Sequence, residues 1–179
     1  MSHLSRRACL LSLLVAPLAL RAQATDALPS IAVLELDFVD EQPRPDEGGA
    51  QAKRLAAAHA QLQQTLRDAK LYRVVDLAPA LPLLKTLRDQ QEFMYRCEDC
   101  AHQIGRKLGT DLVMTTWVQK VSELILNFNV EVHDVAKAKP VLSKSVDMRG
   151  NNDESWRRAV AYLVRDMADK RQRNPRYGT

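Results

Sequence analysis

The chain has 179 residues, with 26 Lys and Arg against 22 Asp and Glu, a length that fits one domain with its own core. Three of the arginines lie in the first 24 residues, which contain no acidic residue, so the rest of the chain has 23 basic and 22 acidic residues. This nearly neutral balance argues against a nucleic acid partner, because nucleic-acid-binding proteins carry a basic surface.

Residues 1–24 have the features of a signal peptide. An arginine pair at 6–7 precedes an apolar run at 10–20, and Ala-Gln-Ala at 22–24 provides a cleavage site of the small-x-small type. The apolar run is too short to cross a bilayer as a helix, so no transmembrane segment is predicted. We therefore expect a periplasmic mature protein, exported by either the Sec or the twin-arginine route.

The first half of the mature chain alternates strand and helix signals. A short apolar run at 31–38 predicts a buried strand, and apolar residues on one helical face predict an amphipathic helix at 51–70. A strand at 72–77 and a helix at 80–96 follow. The segment 100–109 predicts another short helix, which ends at its final glycine.

The second half has the period-two pattern of strands. Two strands at 111–121 and 124–133 lie close enough for a hairpin that turns near Ser122, and a third strand covers the segment 140–149. A final helix follows, with Asn152 or Asp153 as its N-cap.

These elements predict a single-domain α/β sandwich at 25–170. Its order is β-α-β-α-α-β-β-β-α, on a mixed sheet whose last three strands form a meander. The remaining segment, 171–179, is basic and is expected to form a flexible, solvated tail.

Two longer stretches, 97–126 and 146–166, resemble an uncharacterised family of secreted bacterial proteins. The block Arg-Gly-Asn-x-Asp-Glu-Ser-Trp at 149–156 is the most specific part of this resemblance. The arrangement of strands and helices is also distantly similar to the TolB amino-terminal domain and to the α/β domains of the curli-secretion lipoprotein. These resemblances imply a role in envelope assembly or binding, and they associate the family with periplasmic quinoprotein alcohol oxidation.

The Cys-x-x-Cys pair, Cys97 and Cys100, is expected to form a disulfide in an exported protein. A structural staple is the favoured interpretation, since two acidic residues between the cysteines disfavour an activated thiolate. A thiol-redox site remains the alternative. A metal site would need His102 and a distant fourth ligand, His59 or His133, and one cysteine pair is a weak signal for it, so no metal or cofactor is predicted.

The sequence contains no Gly-rich phosphate loop, no nucleophile elbow and no His-Glu-x-x-His motif. Glu35 and Asp37 could act as an acid–base pair, but carboxylates at a strand end more often face solvent or pair with Lys or Arg. Trp117 and Trp156 are assigned to the core. The sequence therefore predicts a non-enzymatic periplasmic binding or assembly accessory protein, with an unidentified envelope protein as its partner. The alternative is a thiol-redox or electron-transfer accessory that uses the cysteine pair, in the service of a quinoprotein oxidation system.

Two surfaces are candidates for binding. One is a polar strand face, formed by Asn127, Asn129, Glu131 and His133. The other is a loop before the last helix, with Arg149, Asn151, Asn152 and Asp153 as its candidate residues. The simpler interpretations are a solvated strand face and a tight, capped connection.

Overall fold

The computed structural model describes residues 27–43 and 48–179. The signal peptide predicted at 1–24 lies outside the described residues. Within the described part, the predicted α/β sandwich on a mixed sheet is confirmed, and the sheet carries helices on both of its faces. None of the described helices is long and apolar enough to cross a membrane.

The elements follow the predicted order, except that the first strand is divided. The strands are β1 (Ser30–Val33), β2 (Asp37–Asp40), β3 (Arg73–Val74), β4 (Leu112–Lys120), β5 (Ile125–Asp134) and β6 (Lys139–Arg149). The helices are α1 (Gly48–Asp68), α2 (Leu81–Gln90), α3 (Cys100–Leu108) and α4 (Asp153–Arg173). The sheet order is β3-β1-β4-β5-β6, with β2 paired to β4. The pairs among β1 to β4 are parallel, and β4, β5 and β6 form the predicted antiparallel meander.

The strand predicted at 31–38 is divided because its apolar side chains enter two different cores. Leu34 packs against α2 and α3, whereas Leu36 packs on the opposite side of the sheet with α1 and α4. A regular strand would place both side chains on one face, because side chains alternate with a period of two. After the interruption the chain pairs with β4 again, and both β1 and β2 are parallel to that strand.

The helix predicted at 80–96 ends at Gln90, and a 3₁₀ turn at Met94–Arg96 follows an extended link. Gln91 has extended backbone angles, which stop the helix. The link returns Met94 to the interior, where it is only 2% exposed. Burial of this one apolar side chain thus outweighs the local preference for a longer helix.

Two hydrophobic clusters lie on the two sides of the sheet. The larger cluster fills the space between the sheet and the helices α1 and α4, and it includes Phe128 and Trp156. The smaller cluster lies under α2 and α3 and includes Cys100 and Ile104. Trp156 is therefore a core residue, as predicted.

The segment 171–179 packs against the domain, which corrects the expectation of a flexible tail. Arg171 donates hydrogen bonds to Leu71 O at 2.8 Å and to the Tyr72 hydroxyl at 2.8 Å. The Tyr72 hydroxyl in turn donates to Gly178 O at 2.8 Å. Gly178 adopts a positive φ of 72°, and a Cβ there would lie 2.7 Å from the tyrosine oxygen, so glycine suits this close approach.

Candidate functional site

The antiparallel strands carry a grid of side chains on one side of the sheet, which we call the polar face. Residues directly opposite each other on neighbouring strands point to the same side, so the register defines three rows. The rows are Thr115–Glu131–Ser143, Trp117–Asn129–Ser145 and Gln119–Asn127–Asp147. Three of the four predicted strand residues therefore lie together on this face.

The polar face is covered at one end and exposed at the other. Helix α3 lies over the end nearest His133 and approaches the strands closely at Gly105, where a Cβ would overlap the Cγ2 atom of Val135. No described helix covers the β6 positions Ser143, Ser145 and Asp147, which are exposed. The fourth predicted residue, His133, consequently lies beneath α3 rather than on the exposed part.

An aromatic wall borders the polar face on the β4 side. The ring of Tyr95 stacks on Trp117 with centroids 4.4 Å apart and an interplanar angle of 9°. Phe93 lies 5.8 Å from Tyr95, and the Arg96 guanidinium lies over both rings. Trp117 is half-buried, so the assignment of this residue to the core is only partly correct.

The wall is fixed to the sheet by a long-range hydrogen bond. The backbone N–H of Tyr95 donates to Asp37 Oδ2 at 3.1 Å. Burial raises the pKa of Asp37, while the bond from Tyr95 and the charge of Arg88 act in the opposite direction. Glu35 forms an ion pair with Arg88 at 3.3 Å, so the two carboxylates serve different structural partners.

Cys97 and Cys100 are joined by a disulfide, with their Cα atoms 5.4 Å apart. The bond connects the 3₁₀ turn that carries Tyr95 to the first residue of α3. Cys100 is fully buried in the smaller cluster. The disulfide therefore ties the aromatic wall to the helix that bounds the polar face.

A buried histidine, His102, and a partly buried one, His133, lie beside this end of the face. The rings of His102 and His133 meet edge to face, with centroids 5.5 Å apart. Burial, together with the neighbouring His102, lowers the pKa of His133 to about 4, so its imidazole is neutral near pH 7. Burial also raises the pKa of Glu131, whose Oε2 atom lies 3.4 Å from His133 Nε2.

The cysteines and histidines do not converge on a metal. Both sulfurs are used in the disulfide, and His59 lies on α1, on the opposite side of the sheet. Across residues 27–43 and 48–179, no group of three or more His, Cys, Asp or Glu residues is placed to hold a metal ion.

The loop predicted as a second binding surface is occupied by internal contacts. Asn151 accepts from Trp156 Nε1 at 3.0 Å and donates to Gln51 Oε1 at 3.1 Å. Asn152 caps α4 by accepting from Ser155 N at 3.0 Å, which confirms the predicted N-cap.

Two further contacts complete the loop. Asp153 pairs with Arg54 of α1 at 2.8 Å, and the Ser155 hydroxyl donates to Arg149 O at 2.7 Å. The loop thus joins β6 to α4 and α1, away from the polar face. The arrangement corresponds to the simpler interpretation of a tight, capped connection.

The family of the protein follows from its sequence. Residues 29–167 match the model of the DUF3280 family, described as a protein of unknown function (DUF2380). This match covers most of the chain. The chain belongs to this family. The sequence matches no curated protein.

Three solved structures are similar to the chain at low sequence identity. TolB from Acinetobacter baumannii is similar with a TM-score of 0.50 and 12% identity, over 84% of this chain and 29% of that chain. The LpoB C-terminal domain from Salmonella enterica has a TM-score of 0.45 and 13% identity, over 73% of this chain and 89% of that chain. Lipoprotein GNA1162 from Neisseria meningitidis has a TM-score of 0.46 and 19% identity, over 79% and 97% of the respective chains. At these identities the likeness to TolB concerns the fold alone.

Sequence reasoning missed the aromatic wall. The signal was present on β4, where Trp117 shares a face with Thr115 and Gln119 and alternates with the buried residues Thr116 and Val118. The partner ring on Tyr95 comes from a segment that was predicted as helix, and no local pattern reports a contact between positions so far apart.

Proposed function

We propose that this protein is a non-enzymatic binding or assembly accessory protein of the periplasm, which holds a protein partner on the polar face. The observation that carries the proposal is the grid of amide, hydroxyl and carboxylate groups on rigid antiparallel strands beside a stacked aromatic pair. Such an arrangement offers directional hydrogen bonds and an amphipathic ring edge, the combination that protein interfaces favour.

The groups of the polar face are already ordered before any partner arrives. Asn127 donates to Asp147 Oδ1 at 2.8 Å, and Asn129 donates to Asn127 O at 3.1 Å. Ordered side chains lose little conformational entropy on association, which favours a binding role. The periplasmic location is inferred from the predicted signal peptide.

The cysteine pair has a structural role in this proposal. A redox dithiol needs an activated thiolate, whereas Glu98 and Asp99 lie between the two cysteines and Cys100 is buried among apolar side chains, both of which disfavour a charged sulfur. We infer that the disulfide positions the 3₁₀ turn and, with it, Tyr95.

Affinity capture from a periplasmic extract tests the proposal with a paired substitution. Asn129→Ala combined with Glu131→Ala removes two central groups of the polar face and should change the free energy of unfolding by no more than about 1 kcal/mol. The matched control is Asp169→Ala with Gln172→Ala, which removes a carboxylate and an amide from the exposed side of α4.

The wild type and the control should retain a common partner, and the polar-face variant should lose it at unchanged melting temperature. Retention of that partner by the polar-face variant would contradict the proposal.

A further inference from the structure

The connections of the parallel strands create a crevice at one edge of the sheet. After β1 and β2 the chain crosses to α1 on one face, whereas after β3 it crosses to α2 on the other face. Adjacent parallel strands whose connections leave toward opposite faces form a topological switch point. In open α/β sheets, ligands bind in the crevice beyond the carboxyl ends of such strands.

A cavity of about 470 Å³ occupies this position, and we call it the switch-point crevice. It lies beyond Val74, the last residue of β3, and beside the face of α1 that carries His59, Gln63 and Arg67. A neighbouring groove of about 630 Å³ continues it along α1. The lining of the switch-point crevice includes Glu35, His59, Gln63, Arg67, Asp76 and Leu81.

The α1 side of the crevice is a row of polar side chains held by one another. His59, Gln63 and Arg67 are four residues apart and so lie on one helix face, spanning about 12 Å. Arg67 donates to Gln63 Oε1 at 3.0 Å. The amide nitrogen of Gln63 lies 2.9 Å from His59 Nε2, which is 3.2 Å from Val33 O at the end of β1. This ring nitrogen either accepts from Gln63 or donates to Val33 O, depending on the tautomer. The His59 end of the row lies against the sheet.

The other side of the crevice carries negative charge and an apolar surface. The Glu35 side chain is 61% exposed, and its contact with Arg88 is long, at 3.3 Å. Asp76 accepts from Ala78 N through Oδ1, which leaves Oδ2 without a hydrogen-bond partner in the described residues. Leu81 is 52% exposed at the start of α2 and so offers apolar surface at the crevice.

We propose that the switch-point crevice binds a short peptide with free termini. The Arg67 guanidinium takes the terminal carboxylate, Glu35 and Asp76 take the ammonium end, and Leu81 contacts an apolar side chain. The cavity volume of about 470 Å³ is in the range of small-ligand sites, which suits a peptide of about three residues. A simple anion such as phosphate fits poorly, because two carboxylates face the same space as the arginine. The crevice shares no residue with the polar face, so the inference stands apart from the function proposed above.

The test is an NMR titration of the ¹⁵N-labelled protein with the tripeptide Ala-Leu-Ala. The matched probe is the same tripeptide with its amino end acetylated and its carboxyl end amidated, which removes both terminal charges. We expect saturable shifts at the amides of Gln63, Arg67 and Asp76. We also expect the blocked peptide to bind at least about tenfold more weakly, because the loss of one hydrogen bond to a charged group lowers the affinity about tenfold.

Arg67→Gln should lower the affinity for the free peptide about tenfold. It should leave unchanged the affinity for the peptide that is amidated at its carboxyl end. The control is Arg158→Gln, because Arg158 is also an exposed helix arginine bonded to the residue four positions before it, Glu154. This control should bind like the wild type.

Three results would overturn the proposal. The first is the absence of saturation up to about 10 mM free peptide. The second is equal affinity for the free and blocked peptides. The third is unchanged affinity in a folded Arg67→Gln variant.

Discussion

Replacing His133 by glutamine should reduce the loss of stability that acid causes. His133 lies under α3, where its Nε2 atom is 3.4 Å from Thr115 Oγ1 and its Nδ1 atom is buried without a hydrogen-bond partner in the described part of the chain. The neighbours that titrate or carry charge are His102 and Glu131. A buried imidazole in this setting resists protonation, which links folding to pH.

The magnitude follows from the pKa of about 4 for folded His133, against about 6.5 for a histidine in the unfolded chain. The folded-state pKa is the lower one, so this contribution is fully present above pH 6.5 and is lost as the pH falls toward 4. At about pH 5 the difference amounts to roughly 2 kcal/mol, and partial access to solvent reduces it to about 1 kcal/mol. Glu131 acts in the opposite direction, because burial raises its pKa and its stabilising contribution falls as the pH rises.

The assay is urea unfolding at about pH 7.5 and pH 5, followed by tryptophan fluorescence. Wild type and His133→Gln both retain Glu131, so its effect cancels in the comparison. His59→Gln, on α1, serves as the control. We expect the variant to lose about 1 kcal/mol less than the wild type between the two pH values. Equal losses in wild type and His133→Gln, or an equal reduction in the control, would refute the reasoning.

Three further predictions concern the elements that hold the fold together. Replacing Cys97 and Cys100 together by serine should lower the free energy of unfolding by about 2 kcal/mol, from the loop-closure entropy. Partner capture should be largely retained, because the hydrogen bond of Tyr95 to Asp37 and its stack on Trp117 still hold the aromatic wall; loss of capture at unchanged stability would favour the redox alternative. Asn152→Ala should lower the unfolding free energy by about 1 kcal/mol in a denaturant titration, because the α4 cap is lost. Deleting residues 174–179 should lower the melting temperature by removing the partner of the Tyr72 hydroxyl, whereas a free tail would make no difference.

Local periodicity was sufficient for much of the fold. The alternation of Leu126, Phe128, Val130 and Val132 with polar residues specified both the strand β5 and the face that it buries, and all four of these side chains are fully buried. The period of α1 and the glycine that ends α3 were equally informative. Gly109 adopts the left-handed conformation with φ of 61°, which a helix C-cap favours.

The differences arise where contacts between distant residues determine the structure. The first strand is divided because Leu34 and Leu36 enter separate cores, and α2 stops early because Met94 is buried and Tyr95 bonds Asp37. The end of the chain is ordered by the contacts of Arg171 with residues about 100 positions away.

The same reason explains which parts of the candidate site were predictable. The shared face of Asn127, Asn129 and Glu131 was predictable from alternation within one strand. Burial of His133 depends on the packing of α3, and the aromatic wall depends on a stack between Tyr95 and Trp117. Neither contact leaves a pattern in the neighbouring sequence.

Site-specific photocrosslinking tests the central claim, that the polar face holds a protein partner, most directly. Ser145 lies at the β6 end of the middle row of the grid and is exposed, so Ser145→p-benzoylphenylalanine places a probe on the open edge of the polar face without disturbing the core. The same probe at Gln172, on the exposed side of α4, is the control, because it lies outside both the polar face and the switch-point crevice. We predict a single dominant crosslinked protein from the Ser145 position in periplasm-containing cells and none from Gln172. Crosslinks of equal yield from both positions, or from Gln172 alone, would contradict the account.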